Sequence, residues 1–503
     1  PDGNVYIGHA SVEYEFGCAR VYSRALTANE AMINANIDKM RFAGADPDKL
    51  TWPEEYRWRD GKLMRRVLIE CDPRYGTVSV DGGEPQSGLI ELLFEARPGS
   101  SASTTVTLTA TPTARSTGFR TWQGNGTSYP RNEPTVTLTV TLDPKANNYN
   151  SAKKVEALFN ADDIHYVGSG SEVEFTQLSA AVNSENVQDG HTIYILDGSY
   201  TFNQSLENVY NKIGTTVLDN KAYSCIAAVR KGVTIMGSAP DRVTLNCNKL
   251  GGLVVSNENA VIANLKIYNF QVDSSKASMA LNMCCGTITN CVIDDAALKP
   301  RASVATRTIW LGPEAVMTDC SVQKVNKVAN NEWSSCNLFQ MHGSTIRRTK
   351  FHDNYAFGYV VNAQPANGKR TRFDSCDFYD NYGWSYAGIE GTDVDVVDCT
   401  FIGACTPQGN YQESSFSKFS GKSSIVRSVV RGTRVTQGND VKLILCAAGA
   451  QVSFTNCLVA VNQNAVCGAI HLGGKSTVLE LYNTTIANNR AVAAGTAVAS
   501  GAV

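Results

Sequence analysis

The sequence predicts an all-β chain dominated by a parallel solenoid, and three observations carry that prediction. One short phrase recurs nine times between Leu265 and Thr484: a small, apolar or thiol anchor, followed two positions later by a β-branched or aromatic residue. The anchors are Leu265, Cys291, Cys320, Thr349, Cys376, Cys399, Ser428, Cys457 and Thr484, at steps of 26, 29, 29, 27, 23, 29, 29 and 27 residues. A near-fixed period in this range means stacked units, none of which can bury its apolar face alone. Upstream, Arg65 to Phe159 alternates with period two between turn residues, the pattern of short half-buried strands.

A chain of 503 residues is long enough for two or more domains. With 43% hydrophobic and 18% charged residues, it can bury a large core beneath an uncharged polar surface. A net charge of −2 argues against nucleic acid or an anionic membrane as the main partner. No apolar run reaches the ~20 residues that a membrane-spanning helix needs. Opening on Pro1 and closing on Gly501-Ala502-Val503, the chain reads as a segment of a longer polypeptide, with any export signal or anchor outside it.

Residues 1–43 read as a strand followed by a helix. Ala25, Met32, Ile33 and Ile37 recur at helical spacing, and Thr27 with Glu30 forms a capping pair. Residues 44–64 are polar and proline-bearing and read as a linker, with Trp52, Tyr56 and Trp58 available to pack on a neighbouring domain. Residues 65–160 form a small β module in which Trp122 is a core residue. Residues 161–503 form the solenoid, which opens on a capping helix at about 175–183. There Phe175, Leu178, Ala181 and Val182 share one face.

Five cysteines, Cys291, Cys320, Cys376, Cys399 and Cys457, occupy the inward anchor column. Neighbours one turn apart would lie about 4.8 Å apart. Their parallel Cβ vectors do not converge to the ~3.8 Å of a disulfide. A buried ladder of free thiols is expected, and it leaves the redox compartment open.

Several motifs resemble known families. RVYSRALTANE resembles the closing strand and helix of a laminin-G/concanavalin-like lectin domain, whose sugar-binding strands would lie upstream. GTVSVDGG, VTLTATP, GFRTWQGNG and VEALF resemble an internalin-type bacterial surface repeat, which implies a spacer or adhesion module. The capping helix and the GVTIMG series resemble the start of a right-handed parallel β-helix of the pectin-lyase type. Phe351-His-Asp-Asn354, Phe378-Tyr-Asp-Asn381, Val459-Ala-Val-Asn462 and Ile486-Ala-Asn-Asn489 are similar to the F-x-x-N repeat of chlamydial polymorphic membrane proteins. Phenylalanine is often replaced, however, and the accompanying double glycine is incomplete. The fold class expected is therefore all-β: a right-handed parallel β-helix preceded by a small β module and a fragment of a jelly-roll lectin-like domain.

Chemistry has three candidate seats. A polygalacturonase-like site wants paired acids, a glycine-flanked histidine and a basic pair. Asp294-Asp295, His342-Gly343 and Arg347-Arg348 come in that order, but Met341 stands where glycine should be and only one acid pair is present. A pectate-lyase-like site needs a calcium ion held by converging carboxylates. Asp374, Asp377, Asp393 and Asp395 are the candidates, without an evident arginine partner; a solvated acidic patch is the alternative. The third seat is aromatic. Tyr355, Phe357 and Tyr359 are followed 27 residues later by Tyr382, Trp384 and Tyr386, each row alternating with small residues. Such rings could form an outer ladder for a sugar or protein partner, or pack on one another. Asp319 with Arg348, and Asp398 with Arg427, stack one turn apart as structural ion pairs.

These readings favour an extracellular or secreted bacterial surface protein, structural or adhesive. Its partners would be a glycan, a host or neighbouring surface protein, or a second copy of itself. No cofactor is expected beyond the calcium candidate. The competing expectation is a secreted polysaccharide lyase or glycoside hydrolase, since one scaffold hosts many functions.

Overall fold

The computed structural model describes residues 28–53, 55–97, 102–124, 129–142, 154–169, 173–204, 206–213, 216–272, 279–298, 306–325, 336–356, 358–383, 386–403, 405–406, 415–432, 434–435, 442–464 and 469–491. The chain divides into two compact units, Pro1–Asp162 and Asp163–Val503.

In the first unit, helix α1 (Ala28–Ala43) buries Ile33 with Tyr56 and Ala96, and Ile37, Trp52 and Leu63 pack around them. The strand Lys62–Cys71 organises the larger sheet. Gly88–Glu95 runs antiparallel to it, Tyr56–Arg59 pairs with its first half, and Lys154–Asn160 runs parallel to its second half. Residues 44–64, expected as a linker, thus contribute a strand to this sheet. Gly118–Gln123 adds to the far side of Lys154–Asn160. A separate antiparallel sheet comprises Gly76–Val80, Ser103–Pro112 and Thr135–Thr141. Period two is visible there: Val106, Leu108 and Ala110 are buried, while the hydroxyls of Thr109 and Thr135 meet at 3.2 Å on the outer face. Trp122 is a core residue, its indole N–H donating to the Pro134 carbonyl at 3.1 Å beside Phe119. Gly76 is required by packing, since a Cβ there would fall 2.0 Å from the Phe159 ring.

The second unit is the solenoid. The capping helix α2 (Leu178–Asn183) buries Leu178, Ala181 and Val182 in the core, whereas Phe175, expected on the same helical face, precedes the helix, bridges to Val167 and packs partly buried against the core. Parallel strands then stack into walls, and one turn shows them all. Arg372–Asp374 lies in wall A, Asp377–Tyr379 in wall B, Tyr382–Gly383 in wall C and Tyr386–Thr392 in wall D. Wall A runs from Ile164–Val167 to Val478–Tyr482, and wall D from Ala227–Val229 to Ile470–Leu472. Among the described residues, wall B has 11 strands and wall C, whose first strand is Tyr355–Ala356, has 6.

Two corners repeat with a fixed backbone. Between walls A and B, Asn264, Asn290, Asp319, Arg348, Ser375, Asp398, Arg427, Asn456 and Asn483 all adopt the left-handed conformation, with φ from 42° to 59°. Asn and Asp tolerate this region better than other side chains do. The anchor follows immediately, which explains why so many anchors are Cys, Ser or Thr. Each such side chain donates back to the carbonyl two residues earlier: Thr349 to Arg347 at 2.9 Å, Ser428 to Val426 at 2.9 Å and Cys320 to Thr318 at 3.2 Å. The five anchor cysteines are buried and unbridged, as expected of a thiol ladder. At the second corner, between walls B and C, Asp353, Asp380 and Asn488 are again left-handed, and Asn269 and Asp295 take the same conformation within earlier wall B strands.

The F-x-x-N phrase spans this second corner. Phe351, Phe378 and Phe401 point inward from wall B and stack with ring centroids 4.9 and 4.7 Å apart. Each ring, fully or almost fully buried, contributes roughly 1.5–3 kcal/mol of hydrophobic stabilisation. The asparagines turn inward just past the corner. Asn381 accepts from the Asn354 side chain at 3.0 Å and donates to the Phe351 carbonyl at 2.7 Å. Asn462 and Asn489 repeat the arrangement at 2.9 and 2.8 Å. Buried amides are thereby satisfied turn by turn.

Candidate functional site

The outer face of wall D concentrates polar side chains in a position where solenoid surfaces are otherwise mixed. Strand register places Asn282, Trp310, Gln340, Asn362, Glu390, Lys418, Leu445 and His471 in one outward column. The inward neighbours Ile309, Phe339, Val361 and Ile389 fill the core, so period two forces the intervening residues outward. Asn282, Gln340 and Asn362 are nonetheless buried. The side-chain amide of Asn362 donates to Glu390, and the Lys418 ammonium lies 3.8 Å from the same carboxylate. Lys418 also sits 5.7 Å from the centre of the Tyr386 ring, which joins this column to the aromatic ladder.

Four of the six ladder residues lie within the described structure; Phe357 and Trp384 lie outside it. Ala356, Val360, Gly383 and Ala387 face inward, leaving the tyrosines outside. Tyr355 stacks on Tyr382 with centroids 4.6 Å apart, and Tyr359 on Tyr386 at 5.0 Å. That spacing is the strand spacing, so the rings occupy one another's faces along the solenoid axis. Half-buried Tyr355, Tyr359 and Tyr382 offer edges and hydroxyls outward, whereas Tyr386 is buried. Burial, with Tyr382 and Asp353 adding, pushes the Tyr355 hydroxyl up, so it remains a neutral donor. A second stack, His352 on Tyr379 at 4.6 Å, runs along the outside of wall B.

Asp294, Asp295 and His342 are placed on different elements. Asp294 faces outward from wall B, almost buried, with Lys266 2.6 Å from one carboxylate oxygen. Its other oxygen has no hydrogen-bond partner among the described residues. Asp295 is the left-handed residue beyond it in the same strand, and exposed. His342 ends the wall D strand Cys336–His342, edge-on to Trp310 with centroids 6.3 Å apart. The acid pair and the histidine thus belong to separate walls.

The four calcium candidates are likewise dispersed. Asp374 and Asp395 face outward from wall A, Asp377 from wall B, and Asp393 lies at the left-handed corner between walls D and A. Arginine partners, not evident in the sequence, are present: Arg370 grips Asp395 at 2.9 and 3.0 Å, and Arg372 reaches Asp374 at 3.4 Å. Asp393 accepts the Lys422 backbone N–H at 2.6 Å. Among the described residues, no three His, Cys, Asp or Glu side chains come together to hold a metal ion.

No family model matches the chain, and no curated protein matches it. Among solved structures, it is similar to the catalytic unit of a GH87 α-1,3-glucanase from Streptomyces thermodiastaticus strain HF3-3. Identity is 11%, covering 86% of this chain and 90% of that chain, with a TM-score of 0.33. It is also similar to an endo-xylogalacturonan hydrolase from Aspergillus tubingensis, at 10% identity over 67% of this chain and 99% of that chain, TM-score 0.30. The A-module of the mannuronan C-5 epimerase AlgE4 of Azotobacter vinelandii follows at 10% identity, 62% and 91% coverage and a TM-score of 0.22. The assignment of the fold rests on the strand pairings above.

Proposed function

We propose that this chain belongs to an extracellular bacterial surface or secreted protein whose solenoid is a rigid, glycan-binding display body. The supporting observation is the Asn362–Glu390–Lys418 row on wall D, joined to the tyrosine edges through Tyr386. Hydrogen-bonding side chains repeat there once per turn, about 4.8 Å apart along the axis. A linear glycan lying along that axis would meet a new donor or acceptor at each step. The row's one carboxylate is paired with its one ammonium, so it favours sugars through hydroxyls rather than through net charge. A hydrolase would need two carboxylates at about 5–9.5 Å, one to protonate the leaving oxygen. The wall D column presents Glu390 alone, already held by an amide and facing a lysine, which favours binding over cleavage. The surface-repeat and lectin-like sequence resemblances support the extracellular setting.

The test is retention of the full chain on a panel of neutral and acidic linear glycans, with release of reducing ends or unsaturated products followed in parallel. The expected result is saturable binding without product. Glu390→Gln and Lys418→Met should each weaken binding about tenfold, about 1.4 kcal/mol. Product that vanishes in Asp294→Ala, His342→Ala or Glu390→Gln would replace this reading with a lyase or hydrolase.

A further inference from the structure

A second recognition site is built into the first unit, independent of wall D. The hairpin Tyr56–Arg59/Lys62–Arg65 closes through Asp60 and Gly61, with φ of 51° and 75°, the geometry of a two-residue hairpin turn. In such a hairpin Arg59 pairs with Lys62, and Arg57 with Met64, through hydrogen bonds. The N–H and C=O of Trp58 therefore point away from the partner strand. Tyr56–Arg59 ends its sheet, and no other described strand covers that edge.

A cleft of about 620 Å³ lies along this edge, with residues 47–53 as its opposite wall. The Trp52 indole is fixed by its N–H donating to the Pro47 carbonyl at 3.1 Å, and it stacks on Trp58 with centroids 5.8 Å apart and planes within 14°. Arg57 and Arg66 both reach Glu91, at 2.9 and 2.5 Å, while Arg59 holds Asp60 only at 3.9 Å, beyond hydrogen-bonding distance. Three guanidinium groups and the carboxylates of Asp48 and Asp60 line the cleft, and Glu91, paired with Arg57 and Arg66 outside the lining, balances the third charge. The site is rich in hydrogen-bonding charge yet formally neutral.

We infer that this cleft binds an uncharged sugar chain. A pyranose ring would lie against the tryptophan pair, its vicinal hydroxyls reading Arg59, Asp60 and the open Trp58 backbone. Pre-oriented aromatic rings beside paired charges suit a ligand that is apolar on its faces and polar at its rim. An anionic ligand would find no net charge to draw it, and an apolar one would make no use of the Arg59 guanidinium or the Trp58 backbone.

The test is tryptophan-fluorescence titration of the full chain with neutral oligosaccharides of glucose, mannose, galactose and xylose, beside oligogalacturonate and a poly-glutamate peptide. At least one neutral sugar should bind saturably, with an affinity unchanged between low and high salt. Trp58→Ala and Arg59→Gln should weaken it at least tenfold and Trp58→Phe should retain most of it, and these contrasts should persist in a Glu390→Gln background. The Glu390→Gln arm separates a failure here from a failure on wall D. Unfolding curves of Arg59→Gln and Asp60→Asn matching the parent exclude loss of fold as the cause. No binding by any neutral sugar, undiminished binding by Trp58→Ala, or salt-sensitive binding confined to oligogalacturonate or poly-glutamate would each overturn the proposal.

Discussion

Arg348 lies one turn from Asp319 and grips its carboxylate with two nitrogens, at 2.6 and 2.7 Å, although both residues are in the left-handed backbone conformation. Arg427 and Asp398 repeat the arrangement at 2.7 Å. Arginine is a poor choice for such a backbone, and an exposed pair adds little stability by itself. The pairing explains how arginine enters a column otherwise held by Asn, Asp and Ser.

The hydrogen bonds from Arg348 and Arg427 hold Asp319 and Asp398 below the ordinary carboxylate range. A depressed folded-state value means these pairs contribute above the unfolded value of about 3.9 and lose that contribution as pH falls through the folded value. Denaturant midpoints should therefore decline below about pH 4, and the decline should be shallower in Arg348→Gln/Arg427→Gln than in the parent. Equal acid slopes in both would remove the pairs from the account.

Phe378 is sandwiched between Phe351 and Phe401. Phe378→Ala should cost about 3–5 kcal/mol, combining lost burial with an unfilled cavity. Phe378→Leu, which keeps most of the volume, should cost much less. Chemical denaturation distinguishes them. Because each turn contacts only its neighbours, the alanine variant should also broaden the transition.

Asn381 accepts two hydrogen bonds from Asn354, at 3.2 Å from its backbone and 3.0 Å from its side chain, and donates to the Phe351 carbonyl. Asn381→Ala leaves buried donors and an acceptor unanswered, at roughly 1–3 kcal/mol for such a group. Asn381→Asp should be worse at neutral pH and partly recover in mild acid, where the carboxyl can donate. An alanine variant as stable as the parent would show the ladder to be dispensable.

Burial pushes the thiols of Cys320 and Cys446 up to about 12. In the native protein they should resist alkylation at neutral pH and react only on unfolding, a contrast that mass spectrometry reads directly. The pH sign follows. With the folded value above the unfolded value of about 8.5, the stabilisation is complete below that pH and erodes as pH rises above it. Stability should thus decline in alkali, and Cys320→Ser with Cys446→Ala should flatten the decline.

The stacked period, the inward thiol column and the F-x-x-N rule were legible because each repeats at a nearly constant distance from the anchor, and the cap at Leu178 showed through its helical spacing. The left-handed corner was harder to see, since Arg348 and Arg427 interrupt its Asn/Asp character. Wall D escaped for another reason: its column is separated from the anchors by loops of unequal length. Steps between Trp310, Gln340, Asn362 and Glu390 are 30, 22 and 28 residues. Trp310 in IWLG and a polar residue within LFQMH, VVNAQ and GIEGT mark the positions, and only strand register aligns them. The tyrosine rows were visible, but their stacking on one another depends on the strand spacing between turns. Residues 44–64 look like a linker by composition, because an edge strand of four residues needs little hydrophobic alternation to pair.

Arg348 and Ser375 occupy equivalent corners, and each is followed by an inward anchor, Thr349 and Cys376. Excising residues 349–375 would therefore join chain ends whose dihedral angles already match, shortening the body by about 4.8 Å without redesigning an interior contact. Duplicating the same segment would lengthen it by the same increment. The solenoid is graduated in whole coils, so its length could be adjusted by recombination while the remaining rungs stay as they are.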